Sequence, residues 1–181
     1  MVATGLASLL AELDYEVIGP VGNGRSAIEA CLTETPDLAL LDICMPDLNG
    51  LEAADQIFES FGIPTVIFSA FSSPEYVEGS RRNSIFGYLL KPVDEAQLRV
   101  GISLAWSRYL EQVNRENEID TLRQRLEDRK IIEQAKWLIV EHKRISEPDA
   151  MRALQRQARN HRRPLIEVAR SVIENVDLLS L

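Results

Sequence analysis

The chain has no run approaching the ~20 consecutive apolar residues that cross a bilayer, and its N-terminus lacks the basic segment and long apolar core of an export signal. Membrane insertion and secretion are therefore not expected, and a cytoplasmic location is. Cysteine is nearly absent: Cys31 and Cys44 stand alone, without metal-ligand spacing, so two reduced thiols are expected. Strand signals are missing after Asp94, which makes the second half helical. What remains, 45% hydrophobic and 27% charged over 181 residues, is a globular chain with room for one full domain and a small appended unit.

Charge divides the chain in the same way. Residues 1–114 hold 6 Lys/Arg against 16 Asp/Glu, net −10, while residues 115–181 hold 14 against 12, net +2. An acidic first part and a basic second part point to two units with different partners.

Turn signals and hydrophobic period order the first part. Glu16–Val21 is a β-branched run closed by Gly22-Asn23-Gly24, and it reads as a strand followed by a helix over 26–35. Asp37–Asp42 reads as a buried strand, 51–61 as a helix, Thr65–Ala70 as the next strand, 74–84 as a weak helix and Phe86–Leu90 as a last short strand. Strands alternating with helices predict an α/β fold with a parallel sheet.

Beyond Asp94, Leu98, Ile102, Ala105 and Tyr109 recur at helical steps, and after the polar stretch 114–118 the pattern resumes at Ile119, Leu122 and Leu126. This predicts a connecting helix over 96–125, read as a short, imperfect coiled coil that makes a homodimer through 94–126. One long helix packed on its own domain is the alternative. Ser146-Glu147-Pro148-Asp149 is a helix start, and the helix it opens carries Arg152, Arg156, Arg159 and Arg163 as a basic stripe. Asn160–Pro164 breaks that helix, and a short one follows over 165–173.

The chemistry gathers where strands end. Leu40-Leu41-Asp42 runs apolar into a lone carboxylate followed by Met45-Pro46, then Asn49-Gly50. On its own this is equally an acceptor at the ligand-collecting edge of a parallel sheet or a strand-end cap. Ser69-Ala70 ends the next strand, and Tyr88-Leu89-Leu90-Lys91-Pro92 ends the one after. The combination closely resembles the receiver domain of two-component response regulators, over roughly residues 1–113, with the receiver itself assigned to 1–95. The resemblance implies a flavodoxin-like doubly wound sheet with Asp42 as phosphoacceptor, Ser69 and Lys91 as phosphoryl contacts and Tyr88 as a switch. It also implies a sensor histidine kinase as partner, and Mg²⁺ held in part by Asp42 and the Cys44 carbonyl. Receivers open with a strand ending in an acidic pair that completes the Mg²⁺ site. That first strand is not found in the chain as numbered, so its metal site is expected to be incomplete; a start assigned some twenty residues too late is the favoured explanation, and a degenerate receiver is the other.

Arg129–Lys136, Ser146-Glu147, Ala150, Leu154, Ala158 and Leu165–Ala169 resemble the ANTAR domain, a three-helix RNA-binding module of transcription antiterminators, assigned to 126–175. Trp137 stands where that family commonly has glycine, and Met151 where it has an aromatic. The resemblance implies binding of RNA hairpins; Lys136, Arg152, Arg156, Arg159, His161, Arg162 and Arg163 are the candidate contacts. A solvated, charge-balanced face is the plainer reading of the same residues. Three alternatives stand beside the leading one: a DNA-binding regulator with a helix-turn-helix at 148–159, which lacks the tight glycine turn; a degenerate, phosphorylation-independent receiver with ANTAR output; and a phosphatase or phosphotransferase with Asp42 as nucleophile, which lacks a second nearby acid. The leading reading is not an enzyme.

Overall fold

A computed structural model describes residues 2–70 and 83–179, in two compact units, 1–113 and 114–181. In the first, three parallel strands, β1 (Ala39–Asp42), β2 (Thr65–Ser69) and β3 (Ile85–Leu90), lie in the order β1-β2-β3. Every residue of β2 is buried, as a strand covered on both faces requires. One face packs against α2 (Gly24–Glu34) and α3 (Gly50–Phe61) through Ala27, Cys31, Ala54 and Ile57. The other face packs against α1 (Val2–Glu12) and the start of α4 (Glu95–Lys143) through Leu98, Ile102 and Ala105.

Local chemistry sets the helix ends. Asn23 and Asn49 cap α2 and α3, their side chains accepting from the N–H groups of Ser26 (2.8 Å) and Glu52 (2.9 Å). Gly62 closes α3 in the left-handed conformation at φ 69°. Gly50 is needed for space: a Cβ there would lie 2.0 Å from the Asp42 carbonyl oxygen, so only glycine lets α3 begin against the end of β1.

Two expectations are corrected here. Residues 16–21 form no strand; Ile18 and Val21 stay about two-fifths exposed, at 40% and 38%. A β-branched run becomes a strand only beside a partner edge. Among the described residues the sheet ends at β1, and a cleft of about 1020 Å³ lies between the two, reached by Leu10, Val17, Ile18, Leu41 and Trp106. Secondly, Leu98, Ile102 and Ala105 do not belong to an intermolecular seam. They are 0, 9 and 0% exposed against the chain's own sheet, so the expected boundary at 95/96 falls inside packed structure and the first unit runs to Val113. The helix expected over 74–84 falls mostly on 71–82, outside the described residues.

The cleft has a measurable signature. The Ala39 N–H donates to the Pro64 carbonyl (2.9 Å) on the β2 side, and backbone groups alternate sides along a strand. The Leu40 and Asp42 N–H groups therefore face the open edge. In hydrogen exchange these two amides should exchange at least about tenfold faster than those of Ala39 and Leu41; equal protection at all four would mean the edge is covered.

The second unit holds α4 from residue 114 onward, α5 (Glu147–Asn160) and α6 (Leu165–Leu179), which reaches beyond the end expected at 173. Ala135, Leu154, Val168 and Ala169 form its core, flanked by Ile131, Ile132, Ile139 and Ala158. Ser146 caps α5 as expected, its hydroxyl accepting from the Asp149 N–H at 3.3 Å, with Pro148 in the first turn. The carboxyl of Asp149 is held below its usual range by the Ser146 hydroxyl first and then by Arg152. That contribution to stability is fully present above the ordinary carboxylate pKa and is lost as pH falls through the lowered one.

Candidate functional site

The register of the sheet assembles the first site. Asp42 pairs with Phe68 and Ser69 with Leu90, so Asp42, Ser69 and Lys91 all arrive at the carboxyl ends of neighbouring strands, where parallel sheets collect ligands. Lys91 makes a charge-assisted hydrogen bond to Asp42 Oδ2. The other oxygen, Oδ1, accepts from the Cys44 N–H at 3.2 Å. Side-chain exposures of 34% for Asp42 and 19% for Lys91 leave the carboxylate reachable from solvent while the ammonium is largely enclosed. Phe68 lies beneath that ammonium, its ring centroid 4.8 Å away, a cation–π contact that the sequence reading missed and that only strand register reveals. Ser69 is fully buried, and its carbonyl accepts from the Lys91 N–H at 2.8 Å, which ties the two strand ends together. Tyr88 is half-buried and packs against the core on the α2/α3 face.

The arrangement offers one solvent-reachable carboxylate with a fixed cation beside it. That is a nucleophile with the means to offset charge added to it. It does not fit Mg²⁺. Among the described residues no three Asp, Glu, His or Cys side chains come together as a metal site, and Oδ2 is already engaged by Lys91. A carboxylate and a carbonyl fall well short of the near-octahedral oxygen shell that the ion demands.

The second candidate site is the basic face of the second unit. Arg152, Arg156, Arg159, His161, Arg162 and Arg163 are all exposed. They are not equivalent. Arg152 pairs with Asp149 at 2.5 Å and Arg163 with Glu167 at 3.1 Å, whereas Arg159 turns its Nε to the Gln155 carbonyl of its own helix. Lys136 is the exception and is corrected: it is 7% exposed and clamped between Glu133 and Glu147, each at 2.5 Å. Those carboxylates, Glu133 first, push its pKa up. The lysine's contribution to stability is fully present below its ordinary pKa and is lost as pH rises through the raised one. Lys136 ties α4 to the start of α5 and is no free phosphate contact. The i−3 spacing of Glu133 was the available clue.

Residues 1–103 match the response regulator receiver domain model, and residues 120–173 match the ANTAR domain model. The chain belongs to the response regulator family. It is 37% identical over 176 residues to the transcriptional regulatory protein PdtaR of Mycobacterium tuberculosis, across 97% of this chain and 86% of that one. The Escherichia coli nitrate/nitrite response regulator protein NarL is 37% identical over 100 residues, covering 54% of this chain and 46% of NarL. Among solved structures, the signal receiver domain of a modulated diguanylate cyclase from Desulfovibrio desulfuricans superposes with a TM-score of 0.56 at 29% identity, covering 61% of this chain and 89% of that one. This response regulator couples a flavodoxin-like receiver to an ANTAR output, the architecture of an RNA-binding antitermination regulator. Among the described residues no helix is long and apolar enough to cross a membrane.

Proposed function

We propose that Asp42 accepts a phosphoryl group from a sensor histidine kinase, and that the modified receiver favours a dimer whose ANTAR units bind RNA hairpins and suppress transcription termination. The observation that carries this reading is the meeting of Asp42 and Lys91 at the carboxyl edge of the sheet, beside the end of β2. Lys91 would transfer its charge from the carboxylate to the incoming phosphoryl oxygens, and the Ser69 hydroxyl would donate to one of them. Tyr88, packed on the core side of β3, is then the residue through which the change leaves the site.

Dimerisation rests on a narrower seam than periodicity alone suggested. Leu98, Ile102 and Ala105 are used within the chain, while Ile119, Leu122 and Leu126 on α4 stay 41, 50 and 60% exposed at successive steps of three and four residues. A second copy would cover this short stripe by helix-on-helix packing. Sedimentation of the double variant Ile119→Glu, Leu122→Lys should give monomers with unchanged helix content, with or without a phosphodonor. A dimer that survives both substitutions would move the interface off this helix.

A further inference from the structure

Trp137 is the most exposed large apolar residue among those described in the second unit, at 63%, and the core of that unit does not use it. Its neighbours Ala135 and Lys136 are buried, so the indole projects from the opposite side of α4. Residues one turn away are Glu133, Gln134, Val140 and Glu141. Of these four only Val140 is apolar, so the indole stands outside the unit's core with its flat face open to a partner, as Trp commonly does at interfaces.

Two occupants compete. Trp137 lies about five helical turns beyond Ile119 on the same stripe of α4, so a second copy is one. But Arg129, Lys130 and Glu133 occupy the stripe between Leu126 and Trp137, and the apolar seam ends there. A protein partner would have to cover the ring together with these charged groups. A nucleobase needs only the flat face of the indole. The charges around the ring are balanced: Glu133 and Glu147 share Lys136, and Glu141 on the next turn is followed by Lys143 and Arg144 at the end of the helix.

We infer that Trp137 is a stacking platform for an unpaired base of the RNA, a specificity-determining contact of this chain's ANTAR unit; the inference rests on the RNA-binding reading above. The chain has two tryptophans, so Trp106→Phe leaves Trp137 as the sole indole fluorophore. The probe is a pool of synthetic RNA hairpins with randomised loops, and plain RNA duplex is the control. Hairpins should quench Trp137 fluorescence and duplex should not. Trp137→Ala should weaken hairpin binding by about five- to a hundredfold, the range for losing one stacked base, while Trp137→Phe keeps most of the affinity. The dependence of affinity on salt should stay the same in both variants, because stacking neutralises no phosphate. Hairpin affinity within twofold of the parent for Trp137→Ala overturns the inference, as does a shift of that variant to monomer without RNA, which would assign the ring to a second copy. Failure of the parent itself to bind any hairpin overturns the RNA reading, a result distinct from an indifferent Trp137.

Discussion

Incubated with acetyl phosphate, the protein should gain the mass of one phosphoryl group slowly, and Asp42→Asn should gain none. The chemistry is an attack by a carboxylate oxygen on phosphorus with acetate leaving, which forms an acyl phosphate on Asp42. Lys91 is engaged with Oδ2 and Cys44 N–H with Oδ1, so either oxygen attacks with one lone pair already held by a donor and its nucleophilicity reduced. This slows the reaction but leaves the ammonium beside the product. Because the donor set does not fit a divalent ion, adding Mg²⁺ should change the labelling rate by less than about twofold. Lys91→Met should reduce labelling further, since nothing else described at the strand ends carries positive charge toward Asp42. Intact-mass spectrometry reads all of these outcomes. Rapid, strongly Mg²⁺-dependent labelling would refute the incomplete metal site, and labelling that persists in Asp42→Asn would refute the acceptor.

The strand ends were legible because short-range signals specify them. Apolar runs ending on Asp42, Ser69 and Lys91 imply parallel strands delivering three polar groups to one edge, and the observed register brings Lys91 onto Asp42. Ser146-Glu147-Pro148-Asp149 was equally legible, since capping is a local interaction. The misreadings were non-local. Residues 16–21 carry the composition of a strand, but a strand exists only where it pairs with an edge, and the open edge of β1 lies across the cleft from them. The period of Leu98, Ile102 and Ala105 shows an apolar face without saying which surface covers it, and the covering surface proved to be the chain's own sheet. Lys136 looked like a phosphate contact because sequence shows its charge and hides its burial between two glutamates.

The same distinction between charge and availability governs the RNA interface. Arg156 and Arg159 are exposed and take part in no ion pair among the described residues, while Arg152 and Arg163 are partly neutralised by Asp149 and Glu167. Each phosphate neutralised on single-stranded RNA contributes about −0.7 to the slope of log affinity against log salt. Replacing Arg156 and Arg159 together by alanine should therefore flatten that slope by about 1.4 and weaken binding to every hairpin alike. Arg152→Ala should change it less, because its guanidinium must leave Asp149 before it can reach a phosphate. Filter binding over a salt series measures both. Hairpins with unpaired loops should bind tighter than plain duplexes, since exposed bases carry the sequence information in RNA. An unchanged slope in the double variant would place the interface on another face. Duplex DNA binding as tightly as the hairpins would replace the RNA output with a helix-turn-helix reading of α5.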